Sequence, residues 1–427
     1  MWKFLTIITI ALTACASAPQ SPSASPDSPI ASPIASPIAS PIAALSAQEK
    51  FNVWQEDFIS RAIAKGYDPV LTRDIIGAAI LSERAVSSSK SQPEFTKPIW
   101  SYVKATSSAA RLNKGKGKLA AIAPTFKSIE ARYGVDREIL TAIWGLESSF
   151  GTVLGDYDAV SALASFAYDG RRASFGEAQL FAILDLLASG DVRKDQLKSS
   201  WAGAMGMTQF IPATFRDYAV DFDADGNKDL WGNEGDALAS AANYLERMGW
   251  RRGEPVIAEV RLPAGFDYAQ ADGRKKFLSE WAQMGMAPLH GGGFSEAGAM
   301  LDAKLYLPAG AKGPALLTFK NFDVIKRYNK SNSYAMGITS LAQGFNGIRA
   351  ISAPWPENDT PLSFSNKKRL QEALTAQGYD TNGIDGQIGP NSQKAIRAWQ
   401  IANTVPADGY VEKQLYIAIV KAAGLTP

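Results

Sequence analysis

Apolar residues recur at helical spacing through most of the chain after residue 47, and this periodicity limits the fold to a mainly helical one. In residues 51–66, Phe51, Trp54 and Phe58 are spaced near 3.6 residues, and Gly66 is a stop signal. Short stretches between about 255 and 320, PVIAEVRLP and PALLTF, instead predict strands. We therefore predict one mainly α-helical body with a small β-containing insert. Further helices are predicted near 119–133, 136–148, 174–189, 236–248 and 333–347.

One predicted helix carries a carboxylate within its apolar stripe. In AIWGLESSFG, residues 142–151, Glu147 lies four residues after Ile143 and therefore faces the interior. We expect Asp136 to cap this helix and Gly151 to stop it, which puts Glu147 in the last turn. There the helix dipole and an apolar wall would both raise the pKa of the carboxyl group, as a general acid requires. The alternative is a structural Glu, satisfied by a hydrogen bond or an Arg, or turned to solvent.

A glycine-rich stretch, SSWAGAMGMTQFIPATF at 199–215, is the second candidate for a site. Gly203 and Gly206 would let the backbone approach a ligand or another helix closely. Gln209 offers an amide that can orient a sugar hydroxyl or acetamido group. Pro212 fits the first turn of the next helix.

Composition excludes several classes of chemistry. The chain has 427 residues and a formal net charge of +2, which suggests two or three domains and does not indicate a nucleic-acid binder. It has one Cys and one His, so an internal disulfide and a Cys/His zinc cluster are excluded. A Ser–His or Cys–His catalytic pair could form only through His290. Hydrolysis or transfer would therefore depend on carboxylates, amides and hydroxyls.

The stretch DFDADGNKDLWG within residues 221–236 has the spacing of an EF-hand calcium loop. Gly226 provides the turn, but position twelve is Gly232, and we expect Asp236 or Glu234 to replace the missing ligand. The predicted site is structural and takes Ca²⁺ or Na⁺; the alternative is an exposed acidic turn. The predicted ligands are Asp221, Asp223, Asp225, Asn227, Asp229 and Asp236.

The N-terminus reads as a targeting segment. In MWKFLTIITIALTAC, residues 1–15, the apolar run is too short to span a bilayer, and LTAC resembles the lipobox of bacterial lipoproteins. That resemblance implies a lipid on Cys15, and Ala16 after it favours the outer membrane. The alternative is an ordinary signal peptide with a chance cysteine. Residues 16–46 contain a repeat of Ser, Pro, Ile and Ala, which forbids a helix and predicts an extended linker.

Three ordered stretches resemble the lytic murein transglycosylases of the B type. They are Glu147-Ser148-Ser149-Phe150-Gly151, the segment 203–209 that ends in Met207-Thr208-Gln209, and RYNKSNSYAMGI at 327–338. The resemblance covers roughly residues 50 to 350. It implies a lysozyme-like catalytic domain at 47–352 that cleaves the β-1,4 bond between N-acetylmuramic acid and N-acetylglucosamine and leaves 1,6-anhydro ends.

The same resemblance implies that Glu147 acts first as acid and then as base, with no cofactor for the chemistry. By motif position it implies six substrate-binding residues. For four of them a purely structural role is the alternative: a helix or turn cap for the serine, core packing for the tyrosine and a solvated surface pair for the two arginines. The six residues are Ser200, Gln209, Asn329, Tyr334, Arg171 and Arg172.

The Pro-rich stretch 353–362 predicts a linker, and residues 363–427 resemble the small three-helix peptidoglycan-binding domain. The matching residues, such as Leu370 and Trp399, belong to core and turns, so they indicate a fold and assign no binding residue. The expected protein is a monomer at the periplasmic face of the Gram-negative outer membrane, anchored by its lipid, with glycan strands as partner and no nucleic acid. The rival functions are a hydrolytic muramidase, and a non-catalytic lipoprotein that tethers the envelope to the wall.

Overall fold

The computed structural model of the chain describes residues 45–88, 97–170 and 172–427. Helices form most of the part before residue 346. These helices are α1 (Ala47–Ala64), α2 (Pro69–Ile76), α3 (Glu83–Ser88), α4 (Ile99–Thr106), α5 (Ala109–Ala121), α6 (Ala123–Tyr133), α7 (Arg137–Ser148), α8 (Ala159–Asp169), α9 (Ala173–Ser189), α10 (Pro212–Tyr218), α11 (Glu234–Arg247), α12 (Leu278–Gln283), α13 (Lys320–Tyr328) and α14 (Asn332–Phe345). The predicted mainly helical fold is confirmed.

The region predicted as one helix at 119–133 is two helices. α5 ends at Ala121, and α6 begins at Ala123 with Pro124 in its first turn. Proline has no N–H and clashes with the carbonyl four residues earlier, so a helix cannot continue through it. Pro212 at the first turn of α10 follows the same rule and lies where we predicted it.

Both ends of α7 differ from their predicted caps. Asp136 is at the N-cap position, but its side chain makes no capping hydrogen bond. The backbone N–H of Arg137 instead donates to Oε1 of Glu130, 2.8 Å away, on α6. At the other end the left-handed residue that closes the helix is Ser149, not Gly151. A carboxylate from another helix does the capping here, and the sequence of α7 alone does not contain that information.

The predicted β-containing insert is a five-stranded antiparallel sheet with the order β4-β6-β7-β3-β5. The fully buried Trp281 on α12 packs against it and donates from Nε1 to the carbonyl of Ala303, 3.1 Å away. A separate two-stranded ladder pairs β1 with β2 in the helical body. The strands are β1 (Tyr157–Asp158), β2 (Lys198–Ser199), β3 (Ile257–Arg261), β4 (Lys275–Phe277), β5 (Ala287–Pro288), β6 (Asp302–Tyr306) and β7 (Ala315–Thr318).

Three separate apolar cores hold the described chain together. The largest lies among α1–α11, α13 and α14, the second lies under the sheet, and the third belongs to the C-terminal helices. Those helices are α15 (Phe364–Ala376), α16 (Pro390–Ala402) and α17 (Lys413–Ala422). Lys312, in the connection between β6 and β7, forms an ion pair of 2.6 Å with Glu412, the residue just before α17. The sheet region and the C-terminal helices therefore touch.

Across the described ranges, we find no helix whose length and apolar content would let it traverse a bilayer.

Candidate active site

Glu147 lies in the last turn of α7, half-buried, where the apolar stripe places it. The hydroxyl of Tyr334 donates a hydrogen bond to its Oε1 at 2.6 Å. Tyr334 is 3% exposed and is on α14, which packs against α7 in the main core. A short bond from a buried donor fixes the orientation of the carboxyl group.

A second tyrosine approaches the same carboxylate. Burial raises the pKa of both Tyr334 and Tyr328 well above the ordinary value, and the negative charge of Glu147 raises each further. Both hydroxyls therefore remain protonated donors through the neutral range. Tyr328 donates to the carbonyl of Thr208 at 2.6 Å and so joins α13 to the glycine-rich segment.

The turn after Glu147 is tied to the glycine-rich segment by Ser148. Its hydroxyl donates to the carbonyl of Met207 at 2.6 Å and accepts from the N–H of Gly151 at 2.9 Å. Ser149 and Phe150 both have left-handed backbones, with φ of 51° and 60°. Such conformations persist only where surrounding contacts hold them. Ser148 supplies such contacts directly beside the carboxylate.

Phe150 is buried against α7 and leaves no room for a larger residue at Gly145. The ring lies edge-on to Trp144, with centroids 5.9 Å apart. A Cβ on Gly145 would come within 2.7 Å of Phe150 Cζ. The glycine in the quoted stretch AIWGLESSFG therefore serves this contact.

Substituting Ser148 by Ala should destabilise the protein by about 1–3 kcal/mol, because the buried Met207 carbonyl and the Gly151 N–H lose their partner. Denaturant unfolding measures this difference. The matched control is Ser128→Ala on the exposed side of α6, where the hydroxyl bonds only to the Pro124 carbonyl within its own helix. We expect the control to stay within about 0.5 kcal/mol of wild type. Equal stabilities of the two variants would contradict the assigned role.

The glycines at 203 and 206 serve protein packing. Both have left-handed backbones, with φ of 79° and 72°. A Cβ on Gly203 would lie 2.7 Å from the side chain of Leu163, and one on Gly206 would lie 2.8 Å from Leu230. Of the two explanations that the sequence left open, close approach to protein is the one these distances support.

Gln209 and Ser200 hold the glycine-rich loop in shape. Gln209 has φ of 53°, and its Nε2 donates to the carbonyls of Leu154 at 3.2 Å and Gly206 at 2.9 Å. The Ser200 hydroxyl accepts from the N–H groups of Ala202 and Ala204, both at 3.3 Å. This is the turn-capping role named above as its alternative. A sugar-binding role for either residue stays a prediction.

Two further predicted substrate residues, Asn329 and Arg172, lie beside the ends of helices. Asn329 follows α13, and its Oδ1 accepts from the N–H of Ser331 at 3.0 Å. Arg172 precedes α9 and lies over the ring of Phe175, 4.4 Å from its centroid. Arg172 is thus stacked on an aromatic ring, whereas Arg171 lies outside the described residues. Cys15 and the linker repeat likewise fall outside them.

The acidic loop gathers a smaller set of carboxylates than the EF-hand spacing predicts. Oxygens of Asp221, Asp223 and Asp236 lie within 4.8 Å of one another. Asp229 instead accepts from the N–H groups of Trp231 and Gly232, both at 2.9 Å. Glu234, the other candidate for the last ligand, pairs with Lys118 at 2.6 Å. Of the two candidates for the last ligand, Asp236 is the one that lies with Asp221 and Asp223.

The chemistry of this three-carboxylate group fits a hard cation. Asp236 is fully buried, and burial raises its pKa despite hydrogen bonds from the N–H groups of Phe222 and Asp229. Oxygen ligands crowded together in this way suit Ca²⁺. The carbonyl of Leu230, within the loop, accepts from the N–H of Met207 at 2.7 Å. The loop therefore braces the segment that Ser148 contacts.

Two functional residues beside Glu147 had no role assigned from sequence. Ser148 and Tyr328 both lie inside the stretches that carry the family resemblance. The sequence offered one signal for them: Ser148 directly follows Glu147, and Tyr328 directly precedes Asn329. Their partners, Met207 and Thr208, could be identified only from the fold.

The fold agrees with the comparisons to known proteins. Residues 50–343 match the transglycosylase SLT domain family, and residues 365–419 match the peptidoglycan binding domain family. The chain belongs to the transglycosylase SLT family, which confirms the family predicted from its three stretches.

The relatives include proteins of known name and structure. The chain is 36% identical over 221 residues to membrane-bound lytic murein transglycosylase B of Escherichia coli; the match spans 49% of this chain and 57% of that protein. It is 44% identical to SltB3 of Pseudomonas aeruginosa, crystallised with NAG-anhNAM-pentapeptide, over 86% of this chain and 99% of that one, with a TM-score of 0.83. The Escherichia coli transglycosylase Slt35, crystallised with calcium, is 28% identical over 71% of this chain and 94% of that one, with a TM-score of 0.60.

Proposed function

We propose that this chain is a lytic transglycosylase that cleaves the β-1,4 bond between N-acetylmuramic acid and N-acetylglucosamine in peptidoglycan. The observation that carries the proposal is the hydrogen bond of 2.6 Å from Tyr334 to Glu147 within a chain of this family. The relatives' names support the substrate, and the anhydro sugar bound to SltB3 supports the product.

In the proposed reaction Glu147 moves a proton twice. Its carboxyl group first protonates the glycosidic oxygen, and the bond from that oxygen to muramyl C1 breaks. Its carboxylate then takes the proton from the muramyl C6 hydroxyl as that oxygen forms a bond to C1. The products are a 1,6-anhydro end and a free hydroxyl, and Glu147 is protonated again. An intramolecular nucleophile removes the need for a positioned water.

The roles of the surrounding residues follow from their contacts. Tyr334 orients the carboxyl group, whereas Ser148 and Tyr328 hold the glycine-rich segment against it. We propose that Gln209, Ser200, Asn329, Arg171 and Arg172 bind the sugar and its muramyl or peptide carboxylates. A hydrolytic muramidase would need a second carboxylate about 5–9.5 Å from Glu147. The anhydro sugar bound to SltB3 favours transglycosylation over that alternative.

The products test this proposal. Sacculi digested with the full chain should release muropeptides whose muramyl ends are lighter by one water than reducing ends, as measured by mass spectrometry. Release of reducing ends alone would identify a muramidase. Release of no muropeptide would favour a wall-tethering lipoprotein.

We also propose that residues outside the body place the enzyme at its substrate. Cys15, which becomes the N-terminal residue when residues 1–14 are cleaved off, would carry lipid at the periplasmic face of the outer membrane, and residues 16–46 would act as a spacer. Residues 363–427 would bind the wall polymer beside the catalytic domain at 47–352. The membrane-bound name of the Escherichia coli relative supports the anchor, and the match to the peptidoglycan binding family supports the C-terminal role.

We propose that Asp221, Asp223 and Asp236 hold a structural Ca²⁺. Calcium at about 100 times its dissociation constant should stabilise the folded chain by about 3 kcal/mol and raise Tm by several degrees relative to chelator. The substitution Asp223→Asn, at an exposed ligand, should remove this increase. Asp195→Asn, at an exposed acid elsewhere, should keep it. If the Tm of the wild type were the same in calcium and in chelator, the site would be refuted.

A further inference from the structure

A cavity of about 680 Å³ lies where three parts of the described chain meet. One wall is the start of α4, around Trp100, and another is the connection from α13 to α14. The third wall comes from the C-terminal helices and their loops, including Gly389 and Tyr410. The reaction proposed above does not use this cavity.

Four lysines line the cavity: Lys97, Lys326, Lys330 and Lys367. Its described lining contains no Asp or Glu. The lysine ion pairs found in the described ranges involve other lysines, at 118, 194, 228, 275, 304 and 312. Within the described residues no acid forms an ion pair with these four lysines, and Asp359, which adjoins the lining, accepts from the hydroxyl of Tyr410.

Lys326 is the lysine of this cavity whose ammonium group is partly removed from water. Burial lowers its pKa, and the nearby Asp323 on the same helix counters this only in part. Asp323 is already paired with Lys304 at 2.7 Å. An ammonium group that is partly removed from water gains from an anion placed beside it.

The acidic residues that line the adjoining cavity already have partners of their own. That cavity, of about 650 Å³, shares Lys326 and Tyr410 with the first and includes Asp272 and Asp408. Asp408 accepts from the N–H of Ala311 at 2.8 Å, and Asp272 forms an ion pair of 2.5 Å with Arg274. Both of these acids are therefore bonded to groups other than the four lysines.

The cavity wall is continuous with the catalytic pair. Asn332 and Ser333, in the first turn of α14, line the cavity. The next residue is Tyr334, whose hydroxyl holds Glu147. The Ser331 hydroxyl, also in the lining, accepts from the N–H of Tyr334 at 3.3 Å. A ligand in the cavity would thus lie against the same helical turn that orients the acid.

We propose that this cavity binds the carboxylates of the short peptide attached to the glycan strand. The inference rests on the proposed function, since peptidoglycan is the polymer that brings such peptides to the enzyme. Lysines supply point charges for carboxylates. Apolar side chains between them, Ile99, Leu362 and Val411, suit the alkyl parts of a peptide.

Equilibrium binding of the free stem pentapeptide to the full chain, purified in detergent, tests this inference. The double substitution Lys326→Gln and Lys330→Gln should weaken binding about tenfold, because it removes two of the four positive charges, each of which makes a partly exposed and therefore modest ion pair. Binding to the wild type should also weaken as salt rises. Amidation of the peptide's carboxylates should weaken binding to the wild type by a similar factor, and this comparison uses no variant.

The matched control removes two positive charges elsewhere. Lys127 and Lys413 are exposed and lie outside the cavity, so Lys127→Gln with Lys413→Gln should bind the peptide like the wild type. Equal affinities of the two double variants, or equal affinities of the free and amidated peptides, would overturn the inference. Absence of peptide binding to the wild type would overturn it too. The readout needs no bond cleavage, so an inactive wild type would refute the proposed function while this affinity ratio still decides the cavity.

Discussion

The substitution Glu147→Gln should lower the rate of muropeptide release by at least about 10³-fold. The amide keeps the shape of the side chain and can still accept the hydrogen bond from Tyr334, but it neither gives nor takes the proton. Both steps of the proposed reaction therefore fail in the same variant. The rate is measured on purified sacculi with protein at equal concentration, after circular dichroism shows that the variant is folded.

A matched control is available on the same helix. Glu138 lies in the first turn of α7, away from the carboxylate end, and Glu138→Gln removes the same charge. We expect it to release muropeptides at the wild-type rate. Retained activity in Glu147→Gln would show that another group is the acid. Wild-type sacculus binding together with no release by the wild type would support the tethering lipoprotein instead.

The substitution Tyr334→Phe should lower the rate about 10- to 100-fold. It removes one hydrogen bond to a carboxylate, and such a bond contributes about 1.5–3 kcal/mol. The ring that packs in the core remains, so the loss acts mainly through the orientation of Glu147. Turnover of a soluble glycan at saturating concentration measures the effect.

The control for Tyr334→Phe removes a hydroxyl with a weaker partner. Tyr168 donates to the carbonyl of Ala47 at 3.4 Å, and Tyr168→Phe should keep the wild-type rate. Thermal unfolding of both variants separates lost catalysis from lost folding. If Tyr334→Phe turns over as fast as Tyr168→Phe, the hydroxyl does not position the acid.

The sequence predicts the helices well where one apolar stripe decides their position. The apolar stripe through Ile143 also predicts the side of α7 on which Glu147 lies, where its carboxylate accepts from the buried Tyr334. The cap of that helix could not be predicted, because the carboxylate that caps it belongs to Glu130 on the preceding helix. The order of the strands in the sheet could not be predicted either, because periodicity shows which face of a strand is buried but not which strands pair with each other.

In the candidate site, too, the sequence predicts some features and only the fold reveals the others. Glu147 was singled out as a charge in an apolar stripe, and the family resemblance made it the predicted acid, but the tyrosine that donates to it is 187 residues away along the chain. The resemblance placed Tyr334 in the groove but did not assign that bond. In the acidic loop, spacing alone predicted six ligands. Folding brings together oxygens of Asp221, Asp223 and Asp236, whereas Glu234 pairs with Lys118 from another helix.

Digestion of sacculi by the full chain in water labelled with heavy oxygen tests the central claim most directly. If Glu147 transfers a proton to and from the sugar alone, the new muramyl ends close on their own C6 oxygen. Mass spectrometry should then find anhydro ends that contain no label. Reducing ends that each carry one labelled oxygen would show that water is the nucleophile, and would contradict the account.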